Sequence, residues 1–299
     1  MNLRFVEAYY WAVSLNSVTR AAEKLHITQS ALSSRIAGLE AELGAALLDR
    51  RSRQFRVTAA GLRFHAFAQQ LLTLQRQIKS EMGGDAPAAP VQLRIGAIES
   101  VVHSWLTGWL QQMRRSHPDF QLDLTVEMTP VLTDQVARGS LDLVFAALPA
   151  GGAGMRVRPL PDMEMSFVGH RALHTRRRYT LDELAGFDLM TFQRGSQPHV
   201  ALLELFRRAG TALPRVHSIS SISAMSQLVE GGFGIATLPR AAAERLARHL
   251  PLKTLRCDTG LTPLTIYASF RDDPGSVVVQ SVLDAAVAYV GTDRKPSKK

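Results

Sequence analysis

Ser30, Ser33 and Ser34, with Thr28 and Gln29 just ahead of them, gather short hydroxyl and amide side chains with no carboxylate among them. The chemistry open to such groups is recognition. Each donates and accepts hydrogen bonds, which is what the base edges in the major groove of DNA require. An ordinary solvated helix surface prefers Glu, Lys and Arg, whereas small hydroxyls let a helix backbone come close to a large flat partner. Gln29, Ser33 and Ser34 are therefore expected on base edges, and Thr28 as the cap of the helix, with Ser30 beside it. Arg35, Arg50, Arg51 and Arg53 are expected on phosphate or in the minor groove.

A second group of residues could hold a small anion. Ser100, followed by Val101, stands where a strand gives way to a helix, so its hydroxyl and the neighbouring backbone N–H groups can receive a carboxylate. Thr129 follows the next strand in the same way. Gln193, Arg194, Gly195, Ser196 and Gln197 form a donor-rich loop between a strand and a helix that carries His199. A Ser or Thr at a helix start often serves only as a cap, so the convergence of these positions makes the argument. Other patterns carry no chemistry. His170 and His174 are four apart but no third metal ligand is near in sequence. Gly231 to Ala236 precedes a strand, whereas a dinucleotide loop follows one. No G-x-S-x-G, H-E-x-x-H or Walker sequence is present, so neither a cofactor nor a metal is expected.

The elements that must position these groups are legible as periodicities. Leu32, Ile36, Leu39 and Leu43 form one apolar stripe at about 100° per residue, the expected buried face of the serine-bearing helix. Ala21 and Ala22 permit close crossing of a preceding helix that starts near Ser17, and Leu25 to Thr28 supply the turn of a helix-turn-helix. Leu47 to Arg53 and Phe55 to Thr58 read as two short strands around a basic tip that also holds Arg56. Leu3, Val6, Tyr10 and Val13 mark a supporting first helix. After Thr58, a cap, the seam Phe64, Phe67, Leu71, Leu74 and Ile78 reads as one partner of a coiled pair.

Residues 83–90, rich in Gly, Pro and Ala, read as a hinge. Strands and helices then alternate. Strands are expected at 91–98, 121–126 and 141–146 and helices at 101–115 and 131–138. A second series has strands at 163–168, 188–192, 216–219 and 235–238 with helices at 199–209 and 222–230. The strand 264–270 and helix 276–290 return to the first lobe. Such a series predicts parallel sheets covered by helices, with ligands held at the strand ends.

The segment SVTRAAEKLHITQSALSSRIAGLEAELGAALLDR, Ser17 to Arg50, is similar to the signature of the LysR-type transcriptional regulators, long and without a gap. Ser30 stands where the family often has Pro, Ser34 where a basic residue is common, and Leu48 where Phe is common. The resemblance implies an α/β protein with an N-terminal winged helix-turn-helix domain, a long linker helix that dimerises, and a two-lobed effector domain like periplasmic solute-binding proteins. It also implies that the positions after the strands, Ser100, Val101, Thr129, Gln193, Arg194, Ser196 and His199, contact an inducer. The domains are expected at 1–57, 58–82, 83–90 (hinge) and 91–290, with lobe I at 91–162 and 268–290, lobe II at 163–267, and a basic tail at 291–299. The expected partners are double-stranded promoter DNA, a small effector that is a carboxylate or other anion, further copies of the chain as a dimer of dimers, and RNA polymerase.

Composition agrees with this reading. The net charge of +9 over 299 residues favours a polyanionic partner, and Cys257, the sole cysteine, suits a reducing cytoplasm and forms no intramolecular disulfide. The apolar run Phe5 to Val13 is interrupted by Glu7, so no signal peptide or membrane span is expected. Two other classes stand beside a regulator. An enzyme on the α/β lobes lacks a catalytic constellation, and a cytosolic small-molecule-binding module explains residues 91–290 but not the serine-faced helix.

Overall fold

The computed structural model describes residues 1–49, 55–82, 92–118, 120–152, 154–212, 215–272 and 276–292. Arg50, Arg51 and Arg53, the expected hinge at 83–90 and the tail beyond 292 lie outside the described residues.

The first domain comprises α1 (Leu3–Ser14), α2 (Val18–Lys24), α3 (Gln29–Leu43) and the start of α4 (Ala59–Met82). Each of the first three begins at a side-chain cap, where Asn2, Ser17 and Thr28 accept the amides of Arg4, Arg20 and Ala31. The helix α3 stops at Gly44, whose φ of +62° suits a residue without a Cβ. Leu32, Ile36 and Leu39 are buried with Val6, Tyr9, Tyr10, Ala21 and Ala22. Leu43, expected in that stripe, is exposed. It is the last helical residue before the Gly44 turn and projects past the end of the core.

Of the two strands expected around the basic tip, residues 50–54 lie outside the described residues, and the described ends meet in an antiparallel bridge, Leu48 to Val57. It is extended by the Asp49 amide donating to Arg56 O at 2.9 Å and the Thr58 amide to Leu47 O at 3.0 Å.

Two five-stranded sheets follow. The first contains β1 (Gln92–Ala97), β2 (Gln121–Val126), β3 (Leu143–Ala146), β4 (Met155–Met163) and β10 (Leu264–Arg271), in the order β2-β1-β3-β10-β4. The second contains β5 (Met165–His170), β6 (Leu189–Thr191), β7 (Val216–Ser218), β8 (Ile235–Pro239) and β9 (Leu252–Leu255), in the order β7-β6-β8-β5-β9. The helices are α5 (Glu99–Val101), α6 (Thr107–Ser116), α7 (Thr129–Ala137), α8 (Leu181–Ala185), α9 (Gln197–Ala209), α10 (Ile222–Glu230), α11 (Arg240–Leu246) and α12 (Ser276–Thr292).

The sheets are mixed, which corrects the expectation of parallel ones. Pairings among β1, β2 and β3, and among β6, β7 and β8, are parallel, but β10 runs antiparallel to β3 and β4, and β5 antiparallel to β8 and β9. The reason is the crossing between lobes. β5 and β10 enter their sheets from the opposite lobe and run against the βαβ strands. The single strand expected at 163–168 divides at Glu164 for the same reason, since β4 and β5 belong to different sheets.

Asp142 ties the first sheet to the DNA-binding domain. Its carboxylate accepts the Arg94 amide at 3.0 Å, Arg94 Nη2 at 2.6 Å and Lys24 Nζ, from α2, at 3.3 Å. Burial raises its carboxyl pKa, but the Arg94 hydrogen bonds and the Lys24 charge outweigh that and hold it below the usual 3.8. Asp142→Ala would leave the Arg94 guanidinium without its partner and is expected to cost about 2–4 kcal/mol at neutral pH. A depressed carboxyl pKa stabilises above the unfolded value and loses that contribution as pH falls through the folded one. Urea midpoints of wild type and variant should therefore differ at pH 7 and converge in acid below the usual carboxylate range, and a constant gap would refute the ion-pair account.

Candidate nucleic-acid interface and effector cleft

The side of α3 away from the core is uncovered. Gln29, Ser30, Ser33 and Ser34 are exposed, as is Thr28 at the tip, and Arg35 is half-buried on the flank. Thr28 is occupied locally, its Oγ1 receiving the Ala31 amide at 3.2 Å and lying 3.0 Å from Ser30 Oγ. The Ser33 and Ser34 side chains have no hydrogen bond among the described residues, so both hydroxyls are open to a partner. The turn into α3 places His26 in the left-handed region at φ +53°.

Glu40, which the sequence reading missed, orients the wing. Its Oε1 on α3 accepts the amides of Leu47 at 2.8 Å and Leu48 at 3.0 Å, which ties the base of the wing to the helix. The linker helix is locked to the same corner. A Cβ on Gly61 would lie 2.3 Å from Leu47 O and 2.7 Å from Tyr9 Oη. The only sequence signal for Glu40 was a carboxylate one position beyond the buried Leu39.

The helix α4 serves two surfaces. Ala68 and Leu72 are buried in the first domain, and Phe64 meets Tyr9 edge-on with ring centres 5.5 Å apart. Phe67, Leu74 and Ile78 are 61%, 53% and 51% exposed, an apolar line left open along the outer side. Of the expected seam, Phe64 faces inward, Leu71 is half-buried, and Phe67, Leu74 and Ile78 face out.

In the cleft, Ser100 is buried at the end of β1, where the chain enters α5, a π-helical turn (Val102–Leu106) and then α6. The amides of Val101 and Val102 both return to Ile98 O, leaving those of Glu99 and Ser100 as the donors of that turn. The Val101 side chain is fully buried in the core of the first lobe, so it can offer a ligand only backbone. Thr129 opens α7, and its Oγ1 accepts the Ala147 amide at 3.2 Å, a tie between this helix and the loop after β3.

Across the cleft, Gly195 takes φ +81° and Ser196 caps α9, accepting the His199 amide at 3.4 Å. Two buried atoms of the first turn of α9, His199 Nδ1 and Gln197 Oε1, have no partner among the described residues. Arg194 is exposed and lines a cavity of about 450 Å³ with His217, Ile219, Leu228 and Phe233.

The two lobes touch through Glu99, a residue no sequence pattern singled out. Its Oε1 accepts Ser221 Oγ at 3.2 Å and its Oε2 the Ile222 amide at 2.5 Å, so a carboxylate from the first lobe caps α10 of the second. Arg245 Nη1 donates to Thr107 Oγ1 at 2.5 Å in a second bridge. Of the declined patterns, Gly232 has φ +76° in the turn before β8, and His174 Nδ1 lies 3.1 Å from His170 O, a local backbone contact. Among the described residues no helix is long and apolar enough to cross a membrane.

Comparison with known proteins places both parts of the chain. Residues 3–62 match the family described as bacterial regulatory helix-turn-helix protein, lysR family, and residues 91–290 match the LysR substrate binding domain. The HTH-type transcriptional regulator BenM of Acinetobacter baylyi is 26% identical over 99% of this chain and 100% of its own. A probable hydrogen peroxide-inducible genes activator of Streptomyces viridosporus is 31% identical over 75% of this chain and 73% of its own. Among solved structures, full-length BenM superposes with a TM-score of 0.57 at 23% identity over 100% of both chains. ArgP of Mycobacterium tuberculosis gives 0.62 at 22% identity over 96% of both. These structural likenesses are of fold.

Proposed function

This chain belongs to the LysR family of transcriptional regulators, with a helix-turn-helix domain for DNA and a substrate-binding domain, and from that premise we propose how its residues divide the work. The helix α3 enters the major groove with Gln29, Ser33 and Ser34 on base edges and Thr28 and Ser30 at its tip, while Arg35, Arg50, Arg51 and Arg53 hold phosphate or the minor groove. The observation that carries this is the bare hydroxyl strip on a helix whose opposite side buries Leu32, Ile36 and Leu39. Two copies pair along α4, and two pairs assemble on promoter DNA, with RNA polymerase as a further partner and the cytoplasm as the compartment. The hinge at 83–90 joins this DNA-binding half, 1–82, to the effector half, 91–290.

A small carboxylate or other anion enters the cleft between Ser100 and Thr129, with the amides of Glu99 and Ser100 just ahead of Val101, on one side and Gln193, Arg194, Ser196 and His199 on the other. The unpartnered His199 Nδ1 supports a polar ligand there. The effector acts by binding one arrangement of the assembly better than another, since equal affinity would shift nothing. Ser100→Ala removes one hydrogen bond to a charged group and is expected to weaken the effector about ten- to hundredfold. A thermal-shift screen of small acids, repeated on the variant, measures this, and an unchanged response would remove Ser100 from the site.

The test of the regulator reading is a gel shift with the intergenic DNA upstream of the chain's own gene. A retarded, salt-sensitive band is expected, and none at low salt would overturn it. A peroxide-responsive role, as in the name of the Streptomyces relative, is disfavoured by the thiol chemistry. Cys257 is the sole cysteine, and burial pushes its pKa above the ordinary value, away from the reactive thiolate. A bare small-molecule-binding module leaves residues 3–62 without a role.

A further inference from the structure

The net charge is concentrated where the DNA-binding role does not ask for it. Residues 170–183 and 248–258 hold seven Arg or Lys against three carboxylates, while residues 1–57 hold eight against five. These two stretches form one surface of the second lobe. β9 is the edge strand, pairing with β5 in the register Gly169 to Lys253 and His170 to Leu252. Beyond it, the Tyr179 amide donates to Arg256 O at 2.8 Å, and the Arg171 amide to Pro251 O at 2.7 Å. The loop between β5 and α8 therefore lies along the same edge.

Arg171, Arg177, Arg178, Arg248 and Arg256 are exposed, with Lys253 half-buried among them. None of the six forms an ion pair among the described residues, in contrast to Arg240, which pairs with Glu164 and Glu244, and Arg176, which pairs with Glu183. Unpaired arginines crowded on one edge repel one another unless an anion covers them. Their planar forks suit phosphate, which they bind through two parallel hydrogen bonds.

We propose that the β9 edge of the second lobe is a second DNA-contacting surface, which grips the phosphate backbone of duplex flanking the operator without reading its sequence. The inference rests on the reading of the chain as a DNA-binding regulator. DNA is the partner argued for because that role already brings duplex to the assembly, and a bent flank laid on this edge releases counterions.

The test uses the full chain and two probes, one with the operator alone and one extended on each side by about two helical turns, about 21 base pairs. Arg177→Glu/Arg178→Glu/Arg256→Glu, a charge change of −6, is compared with wild type and with a first-lobe control, Arg114→Glu/Arg115→Glu, a change of −4. All five side chains are exposed and in no ion pair among the described residues, and thermal melts verify folding. The triple variant should bind the extended probe at least tenfold more weakly, with a salt slope lower by about 2–3, since each phosphate contact contributes about 0.9. Its binding to the operator-only probe should stay within twofold of wild type, and the control should match wild type on both.

A wild-type slope on the extended probe overturns the proposal, as does equal loss on both probes. Loss that appears only with RNA polymerase or with anionic phosphatidylserine vesicles also overturns it, because the surface would then serve another partner. If wild type retards neither probe, the regulator reading itself falls. If it retards both with one slope, only the second surface falls.

Discussion

Ser33→Glu is expected to abolish operator binding, lowering affinity at least about a hundredfold, while the thermal melt stays at the wild-type value. Ser33 is exposed and its hydroxyl has no hydrogen-bond partner among the described residues, and Glu is a better helix former than Ser, so the folded monomer has no reason to object. In the complex the new carboxylate would be desolvated against base edges and close to phosphates. An uncompensated charge in such a place costs about 3–5 kcal/mol, beyond the 1–3 kcal/mol of one wrong base pair. Ser33→Ala loses only a hydrogen bond and should fall about fivefold to tenfold. Fluorescence anisotropy on an operator probe measures both, and full affinity in the glutamate variant would show that α3 does not face the bases.

The second large effect is expected at the linker. Leu74→Asp should turn a dimer into monomers, because the residue lies in the open line Phe67, Leu74 and Ile78. Burying one such side chain is worth about 1.5–3 kcal/mol, and two-fold symmetry counts it twice. The dimer constant should therefore rise by roughly a hundred- to ten-thousandfold, with the buried charge adding to the loss. Sedimentation equilibrium reads this directly, and operator affinity should fall with it as the two recognition helices part. The inward Leu72 provides the contrast. It is buried in the first domain, so Leu72→Ala should lower the melting temperature and leave the pairing of α4 in place. A Leu74→Asp chain that still sedimented as a dimer would put the pairing surface elsewhere.

The recognition helix was legible because local rules and the fold agree there. The Thr28 cap and the stripe Leu32, Ile36 and Leu39 are each settled within a few residues of chain, while Leu43, read into the same stripe, is exposed where Gly44 ends the helix. The tip of the wing was legible only as charge. Its described base, the bridge Leu48 to Val57, is fixed by Glu40 and by the start of α4, contacts that no run within residues 47–58 announces.

Most strand positions in the effector domain followed from hydrophobic runs, though β4 and the short edge strand β9 did not, and neither did the strand directions. A run such as Leu264 to Phe270 reads the same whether it lies parallel or antiparallel to its neighbours, and only the crossing between lobes set β10 against β3. The cleft divides likewise. Ser100 was readable as a hydroxyl at the change from strand to helix. Glu99, one position earlier, looked like any acidic residue in a first helical turn until the opposite lobe brought Ser221 and Ile222 to its carboxylate across 122 and 123 residues of chain. By itself, then, the sequence determined the serine-bearing helix, its Thr28 cap and the core of its apolar face, because those depend on contacts three or four residues apart, whereas α8 and α11 carried no period long enough to read. The tertiary structure alone decided which charged side chains meet across the cleft, how the crossing strands run and which part of α4 is left open, because those depend on segments whose separation along the chain carries no period.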